Sequence, residues 1–409
     1  MEQILNCPIT NSQRYRATHF RLSTSLRTMK KLFYAGLAGL VLFEILNVYF
    51  IMPMPGSQQM QSIDAAYFLH KYRWIFRAVF GFSILVGAWQ AFRASKWWAV
   101  SALVPAMSAA YVLNFQMAAD SMFAQPETLV MAPAKANTIK PERLVVGIEY
   151  NGEAKAYPIQ LLAYHHQVLD SVGGKPVMVT YCSVCRSGRV FEPLVAGRPE
   201  AFRLVGMDHF NAMFEDATTK SWWRQATGEA IAGKLAGQTL PELASQQTSL
   251  AKWLALYPNS LIMQPDKVFK EKYDSLGNYD VGKGRSDLTR TDSLSWKDKS
   301  WVVGVAVGRH SKAFDWNRLK RERVVNTAIG NVPVVLALAA DDKSFFAFQR
   351  SESVEFALQN DTLKSNGLSF NLKGEKIGGA DKNVALTKIN AYQEFWHSWR
   401  TFHPETEKY

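Results

Sequence analysis

The sequence predicts an α+β protein in which three N-terminal transmembrane helices precede a tandemly duplicated, strand-rich α+β domain. Two observations carry this prediction. Three apolar runs before residue 120 each approach the ~20 residues that a helix needs to cross the hydrocarbon core. Sequence patterns in the part that follows recur 157 residues later. The predicted parts are a basic cytoplasmic tail (1–31), the three transmembrane helices (32–119), a first outer copy with a cysteine pair (130–262), a linker (263–300) and a second outer copy without cysteines (301–409).

The apolar runs are Leu32–Met52, Trp74–Phe92 and Trp97–Ala119. The first run is too long, and too polar at its end, for a cleaved signal peptide. Met29-Lys30-Lys31 resembles a bacterial start, so the preceding residues are either a tail or lie before the true start. Glu44 lies inside the first run, where an ionised carboxylate is costly. It is therefore either a functional group or a carboxylate hydrogen-bonded within a three-helix bundle.

Flanking charge predicts the orientation of these helices. Residues 1–31 contain six Lys or Arg residues, which favours a cytoplasmic N-terminus. Three crossings then place the C-terminal domain outside, so the predicted location is the bacterial inner membrane with a periplasmic domain. Lys71, Arg73 and Arg77, at the outer end of the second run, oppose this orientation.

The net charge of +12 resides mainly in the membrane region. Residues 1–119 contain 11 Lys or Arg residues and three acids, a net charge of +8, which leaves +4 for the other 290 residues. Nucleic acid is therefore not a predicted partner. The predicted partners are the lipid bilayer and, for the outer domain, an envelope protein or a small ligand.

The outer domain shows local patterns of strands and short helices. Asn151-Gly152 is a hairpin turn between the first two strands, and leucines at helical spacing predict a helix after the second strand. A buried apolar strand then ends at the cysteines. The predicted strands are Leu144–Tyr150, Ala154–Tyr157, Pro176–Tyr181, Gly188–Glu192, Phe202–Gly206 and Ala212–Phe214, and the predicted helices are Ile159–Asp170, Leu250–Tyr257 and Ala391–Phe402.

The repeat predicts that two copies share one frame. At the positions of Cys182 and Cys185 in the first copy, the second copy has Ala339 and Asp342. The predicted fold of a copy therefore does not require the cysteines. The first copy is predicted to carry the functional site, and the second copy is predicted to be structural. The matches include Val145-Val146-Gly147 with Val302-Val303-Gly304, Lys155-Ala156-Tyr157 with Lys312-Ala313-Phe314, and, at a shorter offset, Trp253 and Pro258 with Trp399 and Pro404.

Cys182 and Cys185 form a C-x-x-C pair that allows three interpretations. They are a redox-active dithiol whose thiolate Arg186 stabilises, two ligands of a zinc or copper ion, or a structural disulfide. His165 and His209 are the candidate helpers or further metal ligands. Cys7 is predicted on the other side of the membrane and cannot complete a four-cysteine site. Covalent haem is excluded because Arg186, not His, follows the second cysteine.

The segment Val177–Phe191, which contains the cysteines, resembles the signature of the domain-of-unknown-function 3179 family. Trp222–Ile231 and Ser300–Val305 are similar to further landmarks of that family. The resemblance covers most of residues 130–409 and implies no known reaction, although some members are named as possible selenoproteins, which implies redox use of a cysteine position. The chain departs from the family pattern at His166, where members often have Glu, and at Arg186, where they often have Gly.

The expected function is that of a membrane-anchored periplasmic protein whose cysteine pair performs thiol redox chemistry or binds a metal. The alternative is a non-catalytic envelope binding or assembly module in which the pair is a structural disulfide.

Overall fold

A computed structural model describes residues 11–284, 286–378 and 385–409, with side chains described from residue 28 onward. Cys7 and the first ten residues of the predicted tail therefore lie outside the described residues. The chain forms two compact units. One comprises the chain up to Ser57 together with Gln61–Met122, and the other comprises Gln58–Met60 and Phe123–Tyr409.

The N-terminal unit is helical, and three of its helices are long and apolar enough to cross a membrane. These segments are Thr28–Tyr49, Arg73–Ala94 and Lys96–Gln116. They confirm the three predicted apolar helices, with ends that shift by a few residues, and they indicate that the protein associates with a membrane. The helices of this unit are α1 (Asn11–Tyr49), α2 (Ile63–Lys71), α3 (Arg73–Ala94), α4 (Lys96–Tyr111) and α5 (Ala119–Met122).

A polar cluster joins the three long helices. Arg77 on α3 donates two hydrogen bonds to the Glu44 carboxylate on α1, at 2.7 and 3.0 Å. Asn114, which follows α4, donates to Glu44 at 2.9 Å and accepts from Arg77. The Glu44 side chain is only 2% exposed, so the carboxylate predicted as either functional or hydrogen-bonded has an ion-pair partner and an amide partner within the bundle.

Replacing Glu44 by Gln should destabilise the helical unit by about 2 kcal/mol, because the Arg77 guanidinium would lose its only carboxylate partner among the described residues in a poorly solvated place. Thermal unfolding of the full chain in detergent, followed by helical circular dichroism, measures this change. Lys96→Gln, at the exposed start of α4, is the control and should unfold like the wild type. Equal melting of Glu44→Gln and the wild type would contradict the stabilising role.

The C-terminal unit is built mainly from short strands, which confirms the mixed α+β class. Its helices are α6 (Ile159–His165), α7 (Leu250–Leu256), α8 (Lys270–Ser275), α9 (Trp316–Glu322) and α10 (Trp396–Phe402). Its strands are β1 (Met131–Pro133), β2 (Leu144–Tyr150), β3 (Glu153–Pro158), β4 (Gln167–Val172), β5 (Lys175–Cys182), β6 (Ser187–Phe191), β7 (Leu194–Val195), β8 (Arg198–Pro199), β9 (Phe202–Asp208), β10 (Asn211–Asp216), β11 (Trp222–Arg224), β12 (Ala230–Ala232), β13 (Gln246–Ser249), β14 (Leu261–Met263), β15 (Trp301–Val307), β16 (His310–Asp315), β17 (Val324–Ile329), β18 (Val332–Leu338), β19 (Phe345–Gln349), β20 (Ala357–Gln359), β21 (Thr362–Ser365), β22 (Leu368–Phe370), β23 (Thr387–Ile389), β24 (Ala391–Phe395) and β25 (Glu407–Lys408).

The strands pair in small, mostly antiparallel sheets. The strands β1–β14 (residues 131–263), called the first half below, pair in the orders β1-β14-β3-β2-β13, β4-β5-β6 and β12-β11-β10-β9. The strands from β15 onward (residues 301–409), called the second half, pair in the orders β24-β15-β16-β25, β17-β18-β19-β23 and β20-β21-β22. The pairs β14–β3 and β16–β25 are parallel. The order strand, strand, helix and three-stranded meander therefore occurs twice, as β2 to β6 and as β15 to β19.

The two halves also bury side chains at matching places. Val146, Leu162 and Val179 lie in the core of the first half, and Val303, Leu319 and Leu336 lie in the core of the second. A Cβ added at Gly147 would lie 2.4 Å from the Trp253 ring, and one added at Gly304 would lie 2.1 Å from the Trp399 ring. Each glycine thus lets a buried indole lie flat against its sheet.

Two predicted helices were too long. The helix predicted over Ile159–Asp170 ends at His165, because His166 adopts a left-handed conformation (φ 63°) and the chain continues as β4. The helix predicted over Ala391–Phe402 begins only at Trp396, because Ala391–Phe395 pairs with β15 as β24. In both places the residues pair with a neighbouring strand, and this pairing outweighs the local helical pattern.

The segment predicted as a linker contributes to the core. It contains α8, and the side chains of Tyr273 and Tyr279 are buried in the core of the first half. Asp280 is also buried and accepts a hydrogen bond from Arg143 at 2.7 Å. This segment therefore packs against the first half and leads into β15.

Candidate functional site

The cysteine pair occupies the turn between β5 and β6. Cys182 is the last residue of β5, and the backbone N–H of Cys185 donates to the Cys182 Sγ over 3.4 Å. Arg186 ends the turn with φ 58°, a left-handed conformation that glycine adopts more easily. The turn thus forms with Arg at a position where members of the family that the sequence resembles often have Gly. The left-handed conformation of this Arg costs about 1 kcal/mol of backbone energy.

A second tight turn, between β9 and β10, lies against the sulfur atoms. The carbonyl oxygen of Phe210 accepts a hydrogen bond from each thiol, at 3.5 Å from Cys182 and 3.3 Å from Cys185. His209 and Phe210 both have positive φ, 50° and 66°, in a two-residue hairpin of the kind that Asn-Gly usually forms. The next residue, Asn211, donates to the Cys185 Sγ at 3.5 Å.

The second half of the unit also contacts the cysteine turn. The Phe395 N–H donates to the Cys185 carbonyl at 2.9 Å. The Val184 carbonyl, between the two cysteines, accepts from the Lys299 Nζ at 2.9 Å and lies 3.2 Å from the His397 Nε2. The surroundings of the cysteines are therefore built from both halves, which the repeat alone did not predict.

Arg186 fixes the turn from the opposite side. Its guanidinium donates to the carbonyls of Tyr279 and Asp280, at 3.1 and 2.6 Å, and to the Gln393 side chain at 3.1 Å. It also lies 3.8 Å from the centre of the Trp301 ring. These acceptors occupy the guanidinium, so the predicted role of Arg186 beside a thiolate has no supporting hydrogen bond among the described residues.

Arg189 on β6 forms a buried ion pair with the second half. Its guanidinium contacts the Glu394 carboxylate, and the two side chains are 3% and 1% exposed. It also lies 3.5 Å from Glu242 and 3.3 Å from the centre of the Tyr392 ring. The pair joins β6 to β24, the strand that leads to Phe395 and α10 beside the cysteines.

The two sulfur atoms have unequal electrostatic surroundings. Burial alone would raise the pKa of Cys182, but hydrogen bonds from the Cys185 thiol and from the backbone of Ala212, Cys185 and Val184 outweigh it, and the pKa is lowered. Burial and the neighbouring Cys182 sulfur raise the pKa of Cys185 well above its usual value. Cys182 is therefore the sulfur that ionises first.

The candidate histidines lie in different places. His209 is in the turn that covers the thiols, and its Nδ1 lies 2.7 Å from Asp208, a hydrogen bond that raises the pKa of His209. The ring nitrogens of His165 lie 2.6 Å from the Ala124 carbonyl and 2.5 Å from the Tyr273 hydroxyl. Both nitrogens of His165 are thus engaged away from the thiols, whereas His209 lies next to their common acceptor.

The described residues offer few further metal ligands near the thiols. No group of three or more His, Cys, Asp or Glu residues in this part of the chain is arranged to hold a metal ion. Both cysteines are buried free thiols. The other side chains that hydrogen-bond to the Cys185 sulfur are the Asn211 amide and the Ser398 hydroxyl, which are weak metal ligands.

Lys299, His397 and Phe210 were not predicted as site residues. Each lies far along the sequence from the cysteines, and none belongs to a local motif. The left-handed turn at His209 and Phe210 has no Gly or Asn to indicate it.

Comparison with known proteins places the C-terminal unit in one family. The family model described as "Protein of unknown function (DUF3179)" matches residues 124–406. Searches of the curated proteins and of the solved structures returned no match. The match extends from the start of the strand-rich unit to its last residues and includes the cysteine turn. The chain therefore belongs to the DUF3179 family of proteins of unknown function.

Proposed function

We propose that Cys182 and Cys185 form a redox-active dithiol that exchanges with disulfides. The observation that carries this proposal is the geometry of the pair: two free thiols lie in one turn, the Cys185 N–H donates to the Cys182 Sγ at 3.4 Å, and both thiols donate to the Phe210 carbonyl. Their surroundings also lower the pKa of Cys182 and raise that of Cys185. A dithiol of this kind has one sulfur suited to attack and a second that stays protonated until it is needed.

In the proposed exchange, the Cys182 thiolate attacks one sulfur of a disulfide R–S–S–R′. A Cys182–S–S–R bond forms, the R–S–S–R′ bond breaks, and R′–S⁻ leaves and takes a proton from water. Cys185 then loses its thiol proton to water and attacks the Cys182 sulfur, which forms the Cys182–Cys185 disulfide and releases R–S⁻. Two electrons pass from the dithiol to the substrate disulfide, and the reverse steps oxidise a dithiol.

Access to the sulfurs requires movement, because both cysteines are fully buried. The His209–Phe210 turn is the element proposed to move. Its two positive φ angles on non-glycine residues cost of order 1–3 kcal/mol each, so opening this turn would relieve backbone strain. Its opening would release the Phe210 carbonyl from both thiols.

Two other roles are less well supported. A structural disulfide across this short turn would close so small a loop that it would add only about 2 kcal/mol, and the turn already has backbone hydrogen bonds on both sides. A zinc or copper site would have two thiolates but no third strong ligand in the described part of the chain. The non-catalytic envelope module remains the competing class.

The proposed setting is the periplasmic side of a bacterial inner membrane, with a cytoplasmic N-terminus. The six basic residues of the tail support this orientation, and the oxidising periplasm suits disulfide exchange. We also propose that the two halves of the C-terminal unit arose by tandem duplication. The recurring order of strands and helix, and the Gly–Trp contacts found in both halves, support this origin.

A redox titration of the full chain in detergent tests the proposal. Thiols of a Cys7→Ser variant are counted by mass spectrometry after equilibration in dithiol–disulfide buffers, and bound metal is measured on the same sample. The expected midpoint lies between about −270 and −120 mV, the range of exchanging dithiols. A midpoint below about −300 mV would indicate a structural disulfide, and one equivalent of tightly bound metal that protects both thiols would favour the metal site instead.

A further inference from the structure

The Lys299 side chain is half-buried beside the cysteine turn, and its ammonium has no carboxylate partner among the described residues. Its Nζ donates to the carbonyls of Val184 and Leu288, at 2.9 and 2.6 Å, and lies 3.2 Å from the His397 Nε2. Within the part of the chain that the structure describes, no ion pair joins this Nζ to an acid. A buried lysine ordinarily has a counter-charge, because desolvation of the ammonium is costly.

The ionisable groups that most favour the charged form of Lys299 are the two cysteines. Burial lowers the pKa of Lys299, and negative charge on Cys185 and then on Cys182 opposes this shift more than Asp298 or Asp292 does. Such an interaction is mutual: a group whose charge is stabilised by a thiolate stabilises that thiolate equally. The Lys299 ammonium, 2.9 Å from the carbonyl of Val184 between the two cysteines, is therefore placed to act as a counter-charge when a thiolate forms in this pair.

The geometry also lets Lys299 hold the turn in place. Val184 is one of the two residues between the cysteines, and its carbonyl accepts directly from the ammonium. The same ammonium lies 4.7 Å from the centre of the Phe395 ring, and the Phe395 N–H donates to the Cys185 carbonyl. Lys299 thus contacts the turn from one side and supports the residue that binds its other end.

Other charged or titratable groups also lie near the sulfurs, but His209 and Arg186 make their hydrogen bonds to other partners. His209 pairs with Asp208, and Arg186 donates to backbone carbonyls and to Gln393. His397 is buried, which lowers its pKa to about 4 and leaves it neutral near pH 7. The remaining groups near the sulfurs or around Lys299 are Tyr181, Tyr279, Asp292, Asp298 and Arg400.

We propose that Lys299 is a positioning residue that stabilises the thiolate of the Cys182–Cys185 pair and fixes its turn. This proposal deepens the proposed function and rests on it only for the use of the thiolate. The cation comes from the segment between the two halves, which therefore contributes to the surroundings of the cysteines.

The test measures thiol ionisation directly in the full chain in detergent, with Cys7 replaced by Ser. The pH dependence of Cys182 alkylation by iodoacetamide is followed by mass spectrometry, and thiolate absorbance near 240 nm gives a second reading. Lys299→Met should shift the midpoint upward by about one pH unit, which is about tenfold less thiolate below the midpoint. Lys299→Arg should restore most of the wild-type profile, because it keeps the charge.

Lys312→Met is the matched control. Lys312 is buried in the second half, donates to the backbone carbonyl of Ala328 at 2.8 Å and pairs with Glu407 at 2.9 Å, and no hydrogen bond or ion pair among the described residues joins it to the cysteines. It should leave the profile unchanged even where it lowers the melting temperature. If Lys299→Met does not fold, Lys299→Gln supplies the same comparison.

Two results would overturn the proposal: an alkylation profile of Lys299→Met that matches the wild type, or an Arg variant as impaired as the Met variant. The outcome is separable from that of the redox titration. If the alkylation profile of Lys299→Met is shifted but the disulfide does not exchange, the role of Lys299 holds and the proposed exchange reaction is wrong. If the disulfide exchanges but the profile is unshifted, the exchange reaction holds and the role of Lys299 is wrong.

Discussion

Replacing Cys185 by Ser should trap a mixed disulfide on Cys182, whereas replacing Cys182 by Ser should reduce disulfide exchange by about a thousandfold or more. The lowered pKa of Cys182 makes it the attacking sulfur, so its loss removes the first step. Without Cys185, the first step proceeds but no second sulfur displaces the bound R–S group. Ser is close to Cys in size, so the buried turn should keep its packing.

The measurement uses a small aromatic disulfide whose released thiol absorbs visible light, together with intact-mass analysis of each variant. With Cys7 replaced by Ser in every variant, one added mass on Cys185→Ser and none on Cys182→Ser is the expected pattern. Ser183→Ala, within the same turn, is the control and should react like the wild type. Equal trapping on both single variants would contradict the assigned roles of the two sulfurs.

Replacing Arg189 by Met should destabilise the C-terminal unit by about 3–5 kcal/mol, since it leaves the Glu394 carboxylate buried without its partner. The expected fall in melting temperature is roughly 6 to 15 °C. The cysteine turn should also become more accessible, because Glu394 belongs to β24, which leads to the residues that cover the turn. Thermal unfolding by tryptophan fluorescence and the rate of cysteine alkylation measure the two effects.

Arg318→Met is the matched control for this prediction. Arg318 pairs with Glu322 at 2.7 Å, but both side chains are partly exposed, at 42% and 34%, so solvent screens the pair and its loss should change the melting temperature little. A double variant, Arg189→Met with Glu394→Leu, should regain part of the stability because no charge remains buried. If Arg189→Met melted like Arg318→Met, the buried pair would not stabilise the contact between the halves.

Much of the fold could be predicted because its signals are local. The strand Leu144–Tyr150 was predicted with its observed bounds, since a short apolar run precedes an Asn-Gly turn. The helix after it was predicted too long because His166, which ends it in a left-handed conformation, is not a residue type that normally marks a helix end. The residues that follow, Gln167–Val172, have apolar side chains at a spacing that also fits a helix, but they pair with β5 and form the strand β4.

The candidate site could be predicted only in part. The cysteines are visible as a motif, and His209 was a candidate helper that does lie beside them. The contacts of Val184 with Lys299 and His397 span 115 and 213 residues of sequence, and no periodicity or turn signal reports such distances. The repeat indicated a second half without cysteines but could not show that this half lies against the cysteine turn.

Arg186 and Arg189 make the stability of the first half depend on the second half. Each arginine is buried in the first half, and each has a side-chain acceptor, Gln393 or Glu394, on one strand of the second half. A first half produced alone would leave these acceptors out of reach and expose apolar surface around two cations. The two halves should therefore unfold together, and deletion of either half should leave the other less stable than it is in the full chain.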